Sequence, residues 1–453
     1  MIRIVQGPLR PALLTAILFL IVAIPLAGVL PLWLDEILQL IETRETSVSE
    51  MLVHLPRNSG AAPLGYLVQQ ATFKVAGYSV FWARFPSVIF ASLTVFCVAL
   101  LGAELGLKRS WVGATFFAVF PLTLRYAAES RVYSQALFFS VLATLFYLRM
   151  ARRPTWAKAG AYWLALTAAA YSQPYSASVG LAHILWSVIC RDRRTTVLGG
   201  AAFTLGLTAF LPWFMWSMDK WDASLLPNAL HFSASVKTPL MLFRELAGAG
   251  YWGSGILLIL CALAIKGRHS SPGVQSLLVL LIVVPIAAVL GADALFDYFL
   301  AARQFMWVLP AVAILAAVAV ERYPRAGVTL SALFGIICFW QCLRYFTAPR
   351  ENWESAASAI AEQVKRGVCL VVAPPDHARL YEFFSPELSR GDCRSPTMVL
   401  AITPYTTGAE QETAMAALIK DRYTLERRTV VGGSVVVFFR SPSGGFSRGL
   451  SSR

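Results

Sequence analysis

Two carboxylates, Asp35 and Glu36, stand side by side in PLWLDEILQL at 31–40, directly after an apolar run over 11–32. Acids at the end of a membrane-type segment are costly and are functional candidates by default. Asp is too short to snorkel as Lys and Arg do. Its competing role is as N-cap of a helix over 36–50. Arginines recur in comparable places. Arg84 opens RFPSVIF at 84–90, where a simple interfacial anchor is the alternative. LRYAAESRVYS at 124–134 packs Arg125, Glu129, Arg131 and Tyr133 into one short turn. YSQPYS at 171–176 sets Tyr171 and Tyr175 around Gln-Pro, and FLAARQFMWVLPA at 299–311 carries Arg303. Arginine holds phosphate through its permanent charge and forked geometry. A carboxylate can take the proton of an attacking hydroxyl. The pairing points to a group transfer in which a hydroxyl attacks and a phosphate leaves.

The elements that must position these residues are membrane helices. The 453 residues are 57% hydrophobic and only 14% charged, where soluble domains carry about a quarter. Apolar runs predict about eleven spans, at 11–32, 84–103, 111–128, 133–150, 158–173, 175–190, 196–217, 247–265, 274–293, 299–320 and 326–346. The segment 61–76 is apolar but short and suits the interface or a re-entrant turn. The first run is too long for a signal peptide, so it reads as a retained helix.

Thirty-nine basic residues against twenty-five acidic ones give a net charge of +14. No aromatic-basic module of the nucleic-acid type accompanies that excess. It gathers in alternate loops: Arg3 and Arg10, Lys108–Ser110, Arg149–Pro154, Arg191–Arg194, Lys266–His269 and Glu321–Arg325. Only Glu104, Asp192 and Glu321 are acidic there. The positive-inside rule makes that face cytoplasmic. Asp35, Glu36 and the unusual turns then lie on the opposite face. With an odd number of spans, so does the tail.

The tail changes character. It reads as an amphipathic helix over 351–366, strands at 368–373 and 397–402, and a short helix between them. A helix near 409–421 and a hairpin turning at Gly432-Gly433 follow. Alternating strands and helices predict a small α/β layer. No phosphate loop or nucleophile motif appears in it. The expected domains are a membrane module over 1–346, a soluble α/β domain over 350–440 and a disordered end over 441–453. The seven cysteines have no metal spacing. Cys369 and Cys393 share the tail and could pair if it is outside the cell.

In order and spacing, these pieces resemble the GT-C superfamily of membrane glycosyltransferases. The likeness is to the family 39-like branch of protein O-mannosyltransferases and lipid A aminoarabinose transferases. The carrying features are the Asp35-Glu36 pair and APLGYL at 62–67, where the family has His-Pro-Pro-Leu-Tyr-Tyr-Leu. Next come Arg84 with Pro86 and Ser87, and the Glu129-Ser130-Arg131-x-Tyr133 turn. Tyr171 and Tyr175, Arg303, and Arg350-Glu351-x-Trp353 before the tail complete the set. The resemblance implies a polyprenyl-phosphate sugar donor and an acceptor hydroxyl on the extracytoplasmic face, with inversion at the anomeric carbon. The protein would be a multi-pass protein of the cytoplasmic (inner) membrane.

Asp35 matches the catalytic carboxylate, with Glu36 in support or on the acceptor. Arg84, Glu129, Arg131, Tyr133, Tyr171, Tyr175 and Arg303 are the candidates for donor binding. The family histidine is missing at Ala61, which leaves His54 and Arg57 as acceptor-side candidates. A divalent cation is possible in such enzymes, but no DxD or histidine cluster marks a site for one. The acceptor would be a glycan, glycolipid or protein. A flippase for lipid-linked sugars would put its charges at mid-membrane in repeated halves. A polymerase or ligase would have a dominant central outer loop. Neither pattern is present in this sequence.

Overall fold

The computed structural model describes residues 9–44, 47–57, 62–218, 237–266, 272–296, 300–348, 350–389 and 395–441. The chain divides into two compact units. One joins Met1–Gly28 to Glu42–Thr347, and the other joins Val29–Ile41 to Ala348–Arg453.

The helices run α1 Leu9–Val29, α2 Leu34–Thr43, α3 Val48–His54, α4 Pro63–Ala76, α5 Val80–Glu104, α6 Trp111–Val119 and α7 Pro121–Ala127. They continue with α8 Tyr133–Arg152, α9 Trp156–Ser172, α10 Val179–Ile189, α11 Arg193–Met218, α12 Lys237–Glu245 and α13 Gly250–Lys266. The bundle ends with α14 Pro272–Phe296, α15 Leu309–Arg322 and α16 Pro324–Thr347.

Every apolar segment expected to span is helical in its described part, but not all as full rods. Among the described residues, seven helical stretches are long and apolar enough to cross a membrane, or eight if α12 and α13, bent by 80°, count as one. The others are short or broken. Pro121 cannot continue the hydrogen-bond ladder, so the third segment splits into α6 and α7. Helix α9 has 17 residues, and a 3-10 turn over Pro174–Ser178 precedes α10. The predicted helix over 36–50 is instead α2 followed by α3, which a Ser47–Glu50 capping box starts afresh. Helix α5 begins at Val80, capped by Ser79, so Arg84 lies one turn inside rather than at its entry.

In this unit α8 packs on both α5 and α9, and α15 on α6 and α13. Helices α5, α8 and α15 are the most enclosed spans, while α1, α11 and α16 are largely exposed, as lipid-facing helices are. The three acids among the basic turns each have a local task. Glu104 pairs with Arg149 at 3.0 Å and with Arg152. Asp192 accepts the Thr195 amide at 3.1 Å at the start of α11. Glu321 accepts the Arg109 amide at 2.5 Å. Deep in the bundle, His183 on α10 is fully buried between Tyr162 Oη at 3.2 Å and Thr144 Oγ1 at 3.1 Å. Those partners satisfy its ring and make it a packing histidine.

The second unit contains the first two turns of α2, then α17 Trp353–Lys365, β1 Cys369–Ala373, α18 Ala378–Glu382, β2 Thr397–Ile402 and α19 Gly408–Lys420. The strands β3 Thr424–Val431 and β4 Ser434–Arg440 follow. Its sheet runs β1-β2-β4-β3, parallel at β1/β2 and antiparallel elsewhere. Gly432 and Gly433 take φ of +57° and +86°, as a two-residue primed hairpin turn requires. Leu400, Val437 and Phe439 on one sheet face bury against Leu418 of α19. Cys369 is disulfide-bonded. Cys393 and all of the expected disordered end beyond Ser441 lie outside the described residues.

One close approach joins two of the sequence motifs. A Cβ on Gly65, in APLGYL, would meet Val132 Cγ1 at 2.2 Å, so α4 seats directly on the turn that carries Glu129, Arg131 and Tyr133. We expect Gly65→Ala to destabilise the bundle by roughly 1–3 kcal/mol, as overpacking does. Adding Val132→Ala should restore at least half of the loss. Thermal unfolding of the detergent-purified protein reads both; equal midpoints for Gly65→Ala and wild type would contradict the contact.

Candidate functional site

In the bundle unit, the turn between α7 and α8 gathers the polar groups. Glu129 is fully buried. Its Oε1 pairs with Arg125 Nε at 3.3 Å and accepts the hydroxyl of Tyr345 from α16. The Arg125 guanidinium also lies 4.8 Å from the Tyr345 ring centroid. A buried carboxylate needs such partners, and here they tie the turn to α16. Ser87 Oγ donates to the Arg131 carbonyl at 3.0 Å, and Ser134 Oγ to that of Tyr126 at 2.9 Å. These bonds fix where the turn ends and α8 begins.

Tyr133 is the first residue of α8, and its ring is the meeting point. Arg131 lies 5.8 Å from the ring centroid, and Arg303, from the 3-10 turn Ala302–Val308, lies 5.9 Å from it. Tyr126 packs edge-on against the same ring at 4.9 Å. Three sequence-predicted residues, Arg131, Tyr133 and Arg303, thus converge, with Glu129 in the same turn. Two guanidinium groups thus lie against one ring at the head of α8.

The other donor-side candidates do different work. Arg84 is fully buried, and its Nη1 donates to the Ala27 carbonyl at 2.9 Å. That carbonyl lies in the last turn of α1, where a cation suits both the orphan acceptor and the helix dipole. Arg84 therefore has a tying role the sequence did not reveal. Tyr171 donates to the Ala209 carbonyl at 2.8 Å and joins α9 to α11. Tyr175 lines an apolar cleft of about 120 Å³ with Pro174, Phe210, Trp213 and Phe214, a lining suited to a hydrocarbon chain. His54 is exposed, with Nδ1 3.6 Å from Glu42 Oε2. The side chain of Arg57 lies outside the described residues. Among the described residues, no three His, Cys, Asp or Glu side chains gather as a metal would need.

In the second unit, Asp35 is not the N-cap of α2. The Glu36 and Ile37 amides both bond to the Trp33 carbonyl, which makes Trp33 the cap and puts Asp35 in the first turn. Glu36 is fully buried, and its Oε2 accepts the Trp33 amide at 3.4 Å, the return half of a capping box. Glu36 thus does the capping that the sequence offered to Asp35. Around this turn lie residues that sequence reasoning left unassigned. Arg350 sits 5.6 Å from the Trp33 ring, and Glu351 Oε1 accepts the Tyr405 hydroxyl at 2.8 Å. The Arg-Glu-x-Trp motif flagged Arg350 and Glu351, but nothing local flags Tyr405.

No protein-family model and no curated protein sequence matches this chain. Solved structures do. ArnT from Cupriavidus metallidurans in the apo state matches with a TM-score of 0.60 at 14% identity, over 94% of this chain and 97% of its own. The same protein bound to undecaprenyl phosphate matches with a TM-score of 0.57 at 14% identity, over 98% and 100%. The Archaeoglobus fulgidus oligosaccharyltransferase in complex with Zn and sulfate matches with a TM-score of 0.50 at 13% identity, over 82% of this chain and 61% of that one. At such identities the likeness is one of architecture. It agrees with the helical bundle and small mixed sheet described above: the chain has the GT-C fold.

Proposed function

We propose that this protein is a glycosyltransferase that moves a sugar from a polyprenyl-phosphate donor to an acceptor hydroxyl on the extracytoplasmic face. The observation that carries this reading is the convergence of Arg131 and Arg303 on Tyr133. Like charges drawn together at a helix end are stabilised by an anion, and a departing phosphate is one. The fold likeness to ArnT, solved with undecaprenyl phosphate, supports a lipid-borne donor. So does the aromatic cleft beside Tyr175.

In the proposed reaction, Asp35 takes the proton of the acceptor hydroxyl, whose oxygen attacks the anomeric carbon. The C–O bond to phosphate breaks, and polyprenyl phosphate leaves with the electron pair and is held by Arg131 and Arg303. A single displacement of this kind inverts the anomeric centre. Glu36 holds the turn that carries Asp35, and the Glu129–Arg125–Tyr345 set holds the turn that carries Arg131. The acceptor is a glycan, a glycolipid or a protein. The protein resides in the cytoplasmic membrane with its N-terminus inside and its sheet domain outside. Basic turns on one set of helix ends support that orientation, and the disulfide of Cys369 supports an oxidising compartment for the tail.

The test is release of polyprenyl phosphate by purified protein in nanodiscs, against a panel of undecaprenyl-phosphate sugars. Asp35→Asn keeps the size of the side chain and removes the base. Its turnover should fall by about 100- to 10,000-fold with donor binding retained. Unchanged turnover in that variant would dismiss Asp35 as base. Arg131→Ala and Arg303→Ala should each weaken donor binding by about 10- to 100-fold, the worth of a charge-assisted hydrogen bond. Both should bind an uncharged polyprenol as wild type does. If the wild-type protein binds no donor in the panel, transport or polymerisation of lipid-linked glycans becomes the better reading.

A further inference from the structure

The turn that carries Asp35 is held by residues from the far end of the sequence. Glu351 lies between the last bundle helix and α17. Its carboxylate accepts the Tyr405 hydroxyl at 2.8 Å, and its neighbour Arg350 lies 5.6 Å from the ring of Trp33, the cap of α2. Tyr405 follows β2 and stacks parallel to Trp353, 6.5 Å between centroids and 2° between planes. Trp353 is buried to 1% and packs on Tyr381 at 5.3 Å. The hairpin turn anchors the same segment, since Asn352 N donates to the Gly432 carbonyl at 2.8 Å. Gly432 leaves room there: a Cβ on it would overlap the Asn352 carbonyl. The chain of contacts therefore runs from the sheet core through Tyr405 to the Arg350–Glu351 segment and on to Trp33, the cap of α2 two residues before Asp35. Burial, then the charges of Glu351 and Asp35, push the Tyr405 hydroxyl above its ordinary range, which keeps it a proton donor to Glu351.

We propose that Glu351 and Tyr405 are positioning residues for Asp35. They fix the first turn of α2, so that the Asp35 carboxylate stands ready without a reorganisation step. This rests on the reading of Asp35 as base, and it gives the C-terminal sheet domain a part in the chemistry through the backbone it holds. Preorganised groups of this kind act on the rate of the step more than on ground-state binding.

The experiment uses full-length protein in nanodiscs and the undecaprenyl-phosphate sugar that wild type turns over. Tyr405→Phe removes one oxygen, and Glu351→Gln removes the charge. Each should lower kcat by about 10- to 100-fold, with donor KM within about twofold of wild type. Because the two act as one unit, the double variant should be little worse than the poorer single. Hydrogen exchange provides the readout that needs no turnover. Amides 34–37 should exchange about tenfold faster in both variants while those of β2 keep their protection. Wild-type kcat in Tyr405→Phe would overturn the proposal, as would unchanged exchange at 34–37. Faster exchange with unaltered kcat would also overturn it, since the contact would then be structural only. Absence of wild-type turnover with every donor instead overturns the transferase reading and this role with it, while exchange still decides whether the pair holds α2.

Discussion

A buried carboxylate needs groups that replace its lost hydration, and Glu129 marks that constraint here. Its Oε1 takes Arg125 Nε and the Tyr345 hydroxyl at once. Removing one partner of such a buried set costs about 3–5 kcal/mol, because the remaining charge stays out of water. The set therefore fixes the path of the chain between α7 and α8. That path puts Tyr133 at the head of α8 and Arg131 beside its ring, and it leaves Val132 to fill the space above Gly65. The arrangement of the cationic site follows from satisfying one acid.

Helix breaks are the second condition. In lipid a backbone group must be bonded within the protein, so irregular segments survive only where neighbours serve them. The breaks here fall where the polar groups gather. Pro121 ends α6 one helix before the Glu129 turn. The 3-10 turn Ala302–Val308 carries Arg303 ahead of α15, with Gln304 returning a bond to the Ala301 amide at 3.0 Å. Among the basic turns the acids are spent on local ties at Glu104, Asp192 and Glu321, so those acids are structural. Charge count alone does not separate the two kinds of turn. What marks the Glu129 turn is that Arg131 and Arg303 lie against one ring, that of Tyr133.

Much of this was legible in sequence because it follows local rules. Gly432-Gly433 between β-branched runs specifies its hairpin, and the tail strands fall within a residue or two of their expected positions. Arg131, Tyr133 and Arg303 stood out as polar residues at apolar segment ends. What was illegible depends on contacts distant in sequence. Arg84 looked like a ligand, but its partner is a main-chain carbonyl at Ala27, and backbone acceptors leave no sequence signature. Asp35 and Glu36 are adjacent, so either could cap. Only the start of α2 at Leu34 assigns the bond to Glu36. Neither Tyr345 nor Tyr405 carries a local sequence signal. Their hydroxyls matter only through Glu129 and Glu351, each far away along the chain.

The division into units bears on how such a chain can work. It falls inside α2, between Ile41 and Glu42. Asp35 and Glu36 are therefore grouped by their contacts with the sheet domain, although in sequence they follow directly on α1. A helix transmits displacement along its axis because every turn is bonded to the next. Within the second unit, the first turn of α2 is capped by Glu36, and Arg350 lies against the ring of its cap residue Trp33. Loosening the first turn would free the carboxylate by several rotamers without unfolding either core. Such a loss reduces the rate of a proton transfer while leaving stability almost unchanged. On the proposed reading of Asp35 as base, a small domain with no catalytic motif of its own can be required for the chemistry.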